Sequence, residues 1–284
     1  HLDQLFHIFA YLKKYHNAEL VFDPSDPVIN PLDFQEHDWT TSEFGHVAGE
    51  EILPPNRPEP RGFGFTVRAQ VDADHGGDTV TRRSRTGFIV YLNSAPVYWL
   101  SKKQTSVETS SFGSEFIAMK QCCEYLRGLR YKLCMMGIPI DGCSYIYGDN
   151  QSVLANSSIP ESTLKKKSQS IAYHFVREGV ARGEWKMAYV TTNENEADLL
   201  TKVMPSGAKR KGFVRNILHH VFALFRIPGS PGMLEKPWGG ECLQTMATRH
   251  DTKIPDSFKN GCQLPIQTLL QLSTQLLSQS NYMF

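Results

Sequence analysis

The chain has 284 residues, 40% hydrophobic and 21% charged, which is enough apolar material for a sizeable core and excludes a wholly disordered chain. The formal net charge is +1, so any surface for nucleic acid has to be a local basic patch rather than a global excess. No apolar stretch is long enough to span a bilayer, and the six cysteines form neither CxxC pairs nor a Cys/His metal spacing, so reduced intracellular thiols are expected. The chain begins at His1 without a secretory signal, and a piece cut from a longer polypeptide is the expectation.

Leu2, Leu5, Phe6, Phe9 and Leu12 repeat at helical spacing, which predicts an amphipathic helix over residues 1–16. Residues 19–22 read as a short strand. Prolines then break the pattern, and residues 23–61 are expected to be an extended linker. From Phe63 to Val71 apolar and polar residues alternate, a strand with one apolar face that delivers Asp72 at its end. A glycine-bearing loop follows. Residues 88–92 and 97–100 predict two more strands joined by a turn at residues 93–96. A long helix is expected over residues 112–136, where Met119, Cys122, Leu126, Leu129 and Leu133 form one stripe. Glu115 lies one turn ahead of Met119 on that stripe and faces the body of the fold. Residues 144–147 predict a strand ending in Gly148-Asp149-Asn150. A short helix, a helix over residues 168–182 and a strand over residues 185–190 come next. Asn193 and Glu196 resemble a helix start that places Asp198 near the first turns of a last short helix. A terminal helix with a basic start is expected over residues 206–227, followed by a poorly ordered extension over residues 228–284. Three antiparallel strands followed by β–α crossovers predict an α/β fold, a mixed sheet flanked by helices, with irregular N- and C-terminal extensions.

Four carboxylates, Asp72, Glu115, Asp149 and Asp198, fall at element ends or on an apolar stripe. Hard divalent cations such as Mg²⁺ need oxygen ligands. Two of them ~4 Å apart activate a water and steady a leaving oxygen in phosphodiester cleavage. That chemistry requires three or four carboxylates from different elements. Taken singly, each of the four also fits a cap or a solvated turn.

Six strings carry a more specific signal by their order. They are Val71-Asp-Ala-Asp-His75, Arg82-Arg-Ser-Arg-Thr-Gly87, Tyr98-Trp-Leu-Ser-Lys-Lys-Gln104, Ser110-Ser-Phe-Gly-Ser-Glu-Phe116, Gly148-Asp-Asn-Gln-Ser152 and Ala197-Asp-Leu-Leu-Thr-Lys202. Together, over residues 62–205, they resemble the ribonuclease H domain in the Pol polyprotein of copia-type LTR retrotransposons. The first helix resembles the end of the reverse transcriptase thumb or connection of such polyproteins. The resemblance implies a ribonuclease H-like fold with a five-stranded mixed sheet and hydrolysis of the RNA strand of RNA–DNA hybrids. It implies two Mg²⁺ ions, with Mn²⁺ as a substitute. It also implies the reverse transcriptase region of the same polyprotein as a partner, no membrane, and an intracellular place in a cytoplasmic particle. Position by position, Asp72 matches the first catalytic aspartate, Glu115 the helix glutamate, Asp149 the third ligand and Asp198 the last. Two departures stand out. The loop Thr191-Thr-Asn-Glu-Asn195 lacks the histidine of cellular ribonucleases H, as the resembled family generally does. Phe112-Gly113 replaces a Thr-Glu pair often found ahead of the catalytic glutamate.

Arg82, Arg83, Lys102 and Gln104 are candidate contacts to the hybrid, with plain solvated surface as the competing reading. Lys165, Lys166 and Lys167 either grip the DNA strand or open a solvated helix. Asn150 and Ser152 are candidates for the RNA 2′-hydroxyl by position. Asp74 and Asp78 read as a solvated loop rather than auxiliary ligands, and Tyr98, Trp99, Tyr145 and Tyr147 as packing aromatics. Two functions from different classes remain: a metal-dependent endonuclease acting on hybrids, and a catalytically inactive hybrid-binding or connection-like module. A transposase or integrase of similar fold is disfavoured, because those use three carboxylates and different strings.

Overall fold

A computed structural model describes residues 2–16, 18–20, 22–164, 169–205 and 207–220. The expected extension over residues 228–284 and the Lys165–Lys167 run lie outside the described residues. The chain divides into two units, His1–Phe225 and Arg226–Phe284.

The elements in chain order are helix α1 (Leu2–Lys14), strands β1 (Ala18–Leu20), β2 (Val67–Ala73), β3 (Arg85–Leu92) and β4 (Ala95–Lys103), helix α2 (Ser111–Met135), strand β5 (Ser144–Gly148), helices α3 (Gln151–Ser158) and α4 (Ser170–Ala181), strand β6 (Trp185–Tyr189), helices α5 (Asp198–Thr201) and α6 (Ala208–Ile217), and strand β7 (Leu218–His220). Five strands form one sheet in the order β4-β3-β2-β5-β6. β2, β3 and β4 pair antiparallel, whereas β2–β5 and β5–β6 pair parallel. This is the five-stranded mixed sheet that the alternation and the crossover helices predict.

The alternation explains the core. On β2, Val67, Ala69 and Val71 are buried and meet Phe88 and Val90 of β3 and Ile146 of β5. The predicted stripe of α2 closes over them, with Met119, Cys122, Leu126 and Leu133 buried and Leu129 packed at the margin. Ser110 caps α2 by accepting from the Gly113 N–H, which satisfies one of the free amides of its first turn. α4 packs on α2 and adds Tyr173 and Val176, while Trp185 and Met187 of β6 complete the same cluster. Cys122 and Cys123 are fully buried, and burial pushes both thiols above their ordinary range.

Several element boundaries differ from those read in the sequence; β3 begins at Arg85 rather than residue 88, and β4 spans Ala95–Lys103 rather than residues 97–100. The first core strand begins at Val67, not Phe63, whose side chain is 95% exposed; upstream, only Phe65 bridges to Ile140. The last short helix starts at Asp198 rather than near Asn193, without a side-chain cap. The terminal helix stops at Ile217, because residues 218–220 pair antiparallel with β1.

Residues 23–61 are not a plain extended linker: they hold two short 3-10 helices, Pro31–Asp33 and Gly45–Val47, with turns between, and are packed as a strap. Asn93, in the β3–β4 turn, donates its amide to the Pro24 carbonyl at 2.8 Å. Side chains alternate on a strand, so Tyr145 and Tyr147 leave β5 on the face away from α2. Phe34 sits edge-on against both, with centroids 4.9 and 5.4 Å apart. Trp39, Phe44 and Val47 then form a second small core with Ala181 at the end of α4. The Arg177 guanidinium lies 4.9 Å from the Trp39 ring centroid. Further along, Glu51 accepts two bonds of 2.6 Å from the buried Arg130 of α2.

Candidate active site

Parallel pairing of β2 with β5 puts Val71 beside Gly148, so Asp72 and Asp149 leave adjacent strands at the same level. The start of α2 brings Glu115 to the same place. One carboxylate oxygen from each of Asp72, Glu115 and Asp149 lies within 4.8 Å of the others. Asp72 is fully buried.

Several side chains fix these three. Gln104 was expected among the substrate contacts, but it is 2% exposed and inside the fold. Its amide donates to Thr86 Oγ1 at 3.1 Å and to the Ser114 carbonyl at 2.9 Å, which ties β3 to the turn of α2 that carries Glu115. Thr201 donates its hydroxyl to Asp72. Thr192, in the loop that lacks a histidine, donates its hydroxyl to Asp149 at 2.8 Å. The buried Asn195 donates to the Val71 carbonyl at 2.9 Å, pinning the last loop to the strand of Asp72. Glu196 accepts from the Tyr91 hydroxyl and, at 2.7 Å, from Asn216 of α6.

Asp198 is not part of the cluster. It is 1% exposed and pairs with Lys202 and Lys209, both at 2.5 Å. Lys202 also reaches Asp72 at 3.4 Å. Sequence reading assigned neither lysine, since a lysine after a short helix looks solvated until the fold is known. Lys202 does lie inside the quoted Ala197–Lys202 string.

Of the remaining candidates, Arg82 and Arg83 are exposed on the β2–β3 loop and Lys102 is exposed on β4. Asn150 is occupied as the cap of α3, accepting from the Ser152 and Val153 amides. Ser152 is exposed beside it. Asp74 accepts the Arg85 amide, and Asp78 accepts the Val80 and Thr81 amides and pairs with Lys103, so both are engaged within their loop. Tyr98 stacks on Tyr125 with centroids 3.8 Å apart, whereas Trp99 is half exposed.

The electrostatics of the three carboxylates follow from crowding. Burial, and then the neighbouring Asp72 and Asp149, push the Glu115 carboxyl up to about 9. Burial is also the largest influence on Asp72, which rises to about 6 despite the Thr201 hydrogen bond and Lys202. Three oxygens this close, two of them on carboxyls that resist ionising alone, form a donor set that suits a hard divalent cation. Both folded-state values lie above the ordinary carboxylate range. The stabilising contribution of these groups is therefore complete at low pH and lost as pH rises through about 6 and then about 9. In EDTA the melting temperature is expected to fall across that window. Saturating Mg²⁺ is expected to remove most of the fall, and Glu115→Gln to flatten it without metal. Thermal melts at stepped pH check this, and a flat profile in EDTA would contradict it.

No protein-family model matches the chain. It is 31% identical over 172 residues to the retrovirus-related Pol polyprotein from transposon RE2 of Arabidopsis thaliana, an alignment covering 61% of this chain and 11% of that protein. It is 32% identical over 142 residues to the corresponding polyprotein from transposon RE1 of the same plant, covering 50% and 10%. The chain thus spans about a tenth of the length of these relatives. Among solved structures it resembles RNase H1 from the halophilic archaeon Halobacterium salinarum at 15% identity and a TM-score of 0.38, over 48% of this chain and 94% of that one. The chain is thus similar to a segment of transposon Pol polyproteins, and its described residues carry a mixed five-stranded sheet flanked by helices.

Proposed function

We propose that this chain carries the ribonuclease H activity of a copia-type retrotransposon Pol polyprotein, hydrolysing the RNA strand of RNA–DNA hybrids with Mg²⁺ beside the reverse transcriptase region of that polyprotein. One observation carries the reading. Three carboxylates from β2, β5 and α2 converge within 4.8 Å, in a chain homologous to transposon Pol polyproteins. Asp72, Glu115 and Asp149 would hold a divalent cation, and Asp198 with Asp72 a second. Bound there, such cations polarise a phosphate and lower the pKa of an attacking water. The chain's own residues set the stage. Thr201, Thr192 and Gln104 fix Asp72, Asp149 and the start of α2, and the exposed Arg82, Arg83 and Lys102 are available to backbone phosphates. Among the described residues no helix is long and apolar enough to cross a membrane.

The test is incubation with a hybrid labelled on its RNA strand. Cleavage in Mg²⁺ and none in EDTA are expected. The runner-up is a hybrid-binding module without catalysis, favoured by Asp198 standing apart from the cluster. Salt-sensitive binding without cleavage would select it.

Gly87 offers a second handle. It lies opposite Asp72 in the β2–β3 register, and a Cβ there would meet Thr201 Cγ2 at 2.6 Å and Leu200 Cβ at 2.9 Å. Gly87→Ala must therefore push α5, and with it Thr201 and Asp198, away from Asp72. A sub-ångström to ångström shift of this kind is expected to cost ~10–100-fold in cleavage rate. The circular dichroism spectrum should stay unchanged, and an unaltered rate would show that α5 does not position the site.

A further inference from the structure

Asp198 stands outside the carboxylate cluster with both oxygens engaged. Lys202 Nζ lies 2.5 Å from Oδ1, and Lys209 Nζ, from α6, lies 2.5 Å from Oδ2. Lys202 Nζ is also 3.4 Å from Asp72 Oδ1, so one ammonium bridges the two carboxylates. The burial is one-sided. The Asp198 side chain is 1% exposed, whereas those of Lys202 and Lys209 are 42% and 33% exposed. A buried carboxylate requires a counter-charge. An ammonium and a divalent cation compete for the same oxygens here. The carboxylate is fixed in the fold, while each lysine head can swing into solvent on its flexible stem. Lys209 Nζ lies 5.4 Å from the centroid of the Phe213 ring, a residue one turn further along α6.

Resting on the nuclease reading above, we propose that Lys202 and Lys209 are positioning residues that act as built-in counter-ions for Asp198. In the free chain they hold Asp198 out of the cation site, which then takes a single divalent cation at Asp72, Glu115 and Asp149. A second cation enters only when phosphates of bound nucleic acid draw the ammoniums away. Phosphate oxygens are strong acceptors for such groups, and they arrive with the substrate. The device makes a complete site conditional on the presence of a nucleic-acid backbone.

The experiment is a calorimetric Mn²⁺ titration of the full chain. The wild-type chain is expected to take one ion per chain alone, and two when saturated with a hybrid whose RNA strand carries cleavage-resistant 2′-fluoro sugars. The Lys202→Gln/Lys209→Gln double variant is expected to take two without nucleic acid, and adding Asp198→Asn to return it to one. Two ions in the free wild-type chain would overturn the proposal and leave the nuclease reading standing. So would a single ion in the hybrid-bound wild type, or in a folded double variant. If the double variant does not fold, two ions in the free wild-type chain or a single ion in its hybrid complex still overturn the proposal. No Mn²⁺ bound by any form, with or without hybrid, would overturn both readings.

Discussion

Asp149→Asn is expected to abolish hybrid cleavage, lowering the rate by at least ~10³-fold while leaving the fold intact. Asparagine has the size of aspartate, and its carbonyl oxygen can still accept the Thr192 hydroxyl that holds Asp149 at 2.8 Å. What it lacks is the negative charge that completes the three-carboxylate cluster. Hybrid affinity should be unchanged or tighter, because one charge that repels the phosphates is gone. The rate and the dissociation constant measured on the same hybrid separate these effects. A variant cutting within tenfold of wild type would remove Asp149 from the chemistry.

Trp39→Ala is expected to have the largest effect on stability. Trp39 is 7% exposed between Phe44, Ala181 and the guanidinium of Arg177. Truncating a buried tryptophan costs about 3–5 kcal/mol, which for a body of this size lowers the melting temperature by roughly 6–20 °C. Arg177 keeps its bonds to the Asn156, Ile159 and Pro160 carbonyls, so the loss reports the strap rather than the helix. A thermal melt measures it, and a change under about 1 kcal/mol would mean that the strap is not part of the folded unit.

Local pattern reveals some of these features and hides others. The alternation from Val67 to Val71 and the stripe through Met119, Cys122 and Leu126 encode β2 and α2 directly, because each buries one face against the same core. Carboxylates at the ends of such elements are legible for the same reason. The packing of the strap is not, since Phe34 acquires its place only once Tyr145 and Tyr147 project from the far face of β5. The β1–β7 pair is hidden as well. Each strand is three residues long, and the two lie at opposite ends of the described chain. Gln104 misleads because a polar residue after two lysines looks exposed, whereas its amide is consumed by Thr86 and Ser114. Asn195 gives no periodic signal, yet its bond to the Val71 carbonyl holds the last loop against β2. Lys202 and Lys209 belong to this class too. Their role depends on where Asp198 is buried, which no spacing rule encodes.

The most direct measurement is denaturing electrophoresis of an RNA–DNA hybrid labelled differently on each strand, incubated with the full chain in Mg²⁺. A ladder of RNA fragments ending in 5′-phosphates, an intact DNA strand, and no fragments in EDTA are expected. An RNA strand that stays whole in Mg²⁺, in the presence of a folded chain shown to bind the hybrid, would contradict the nuclease reading.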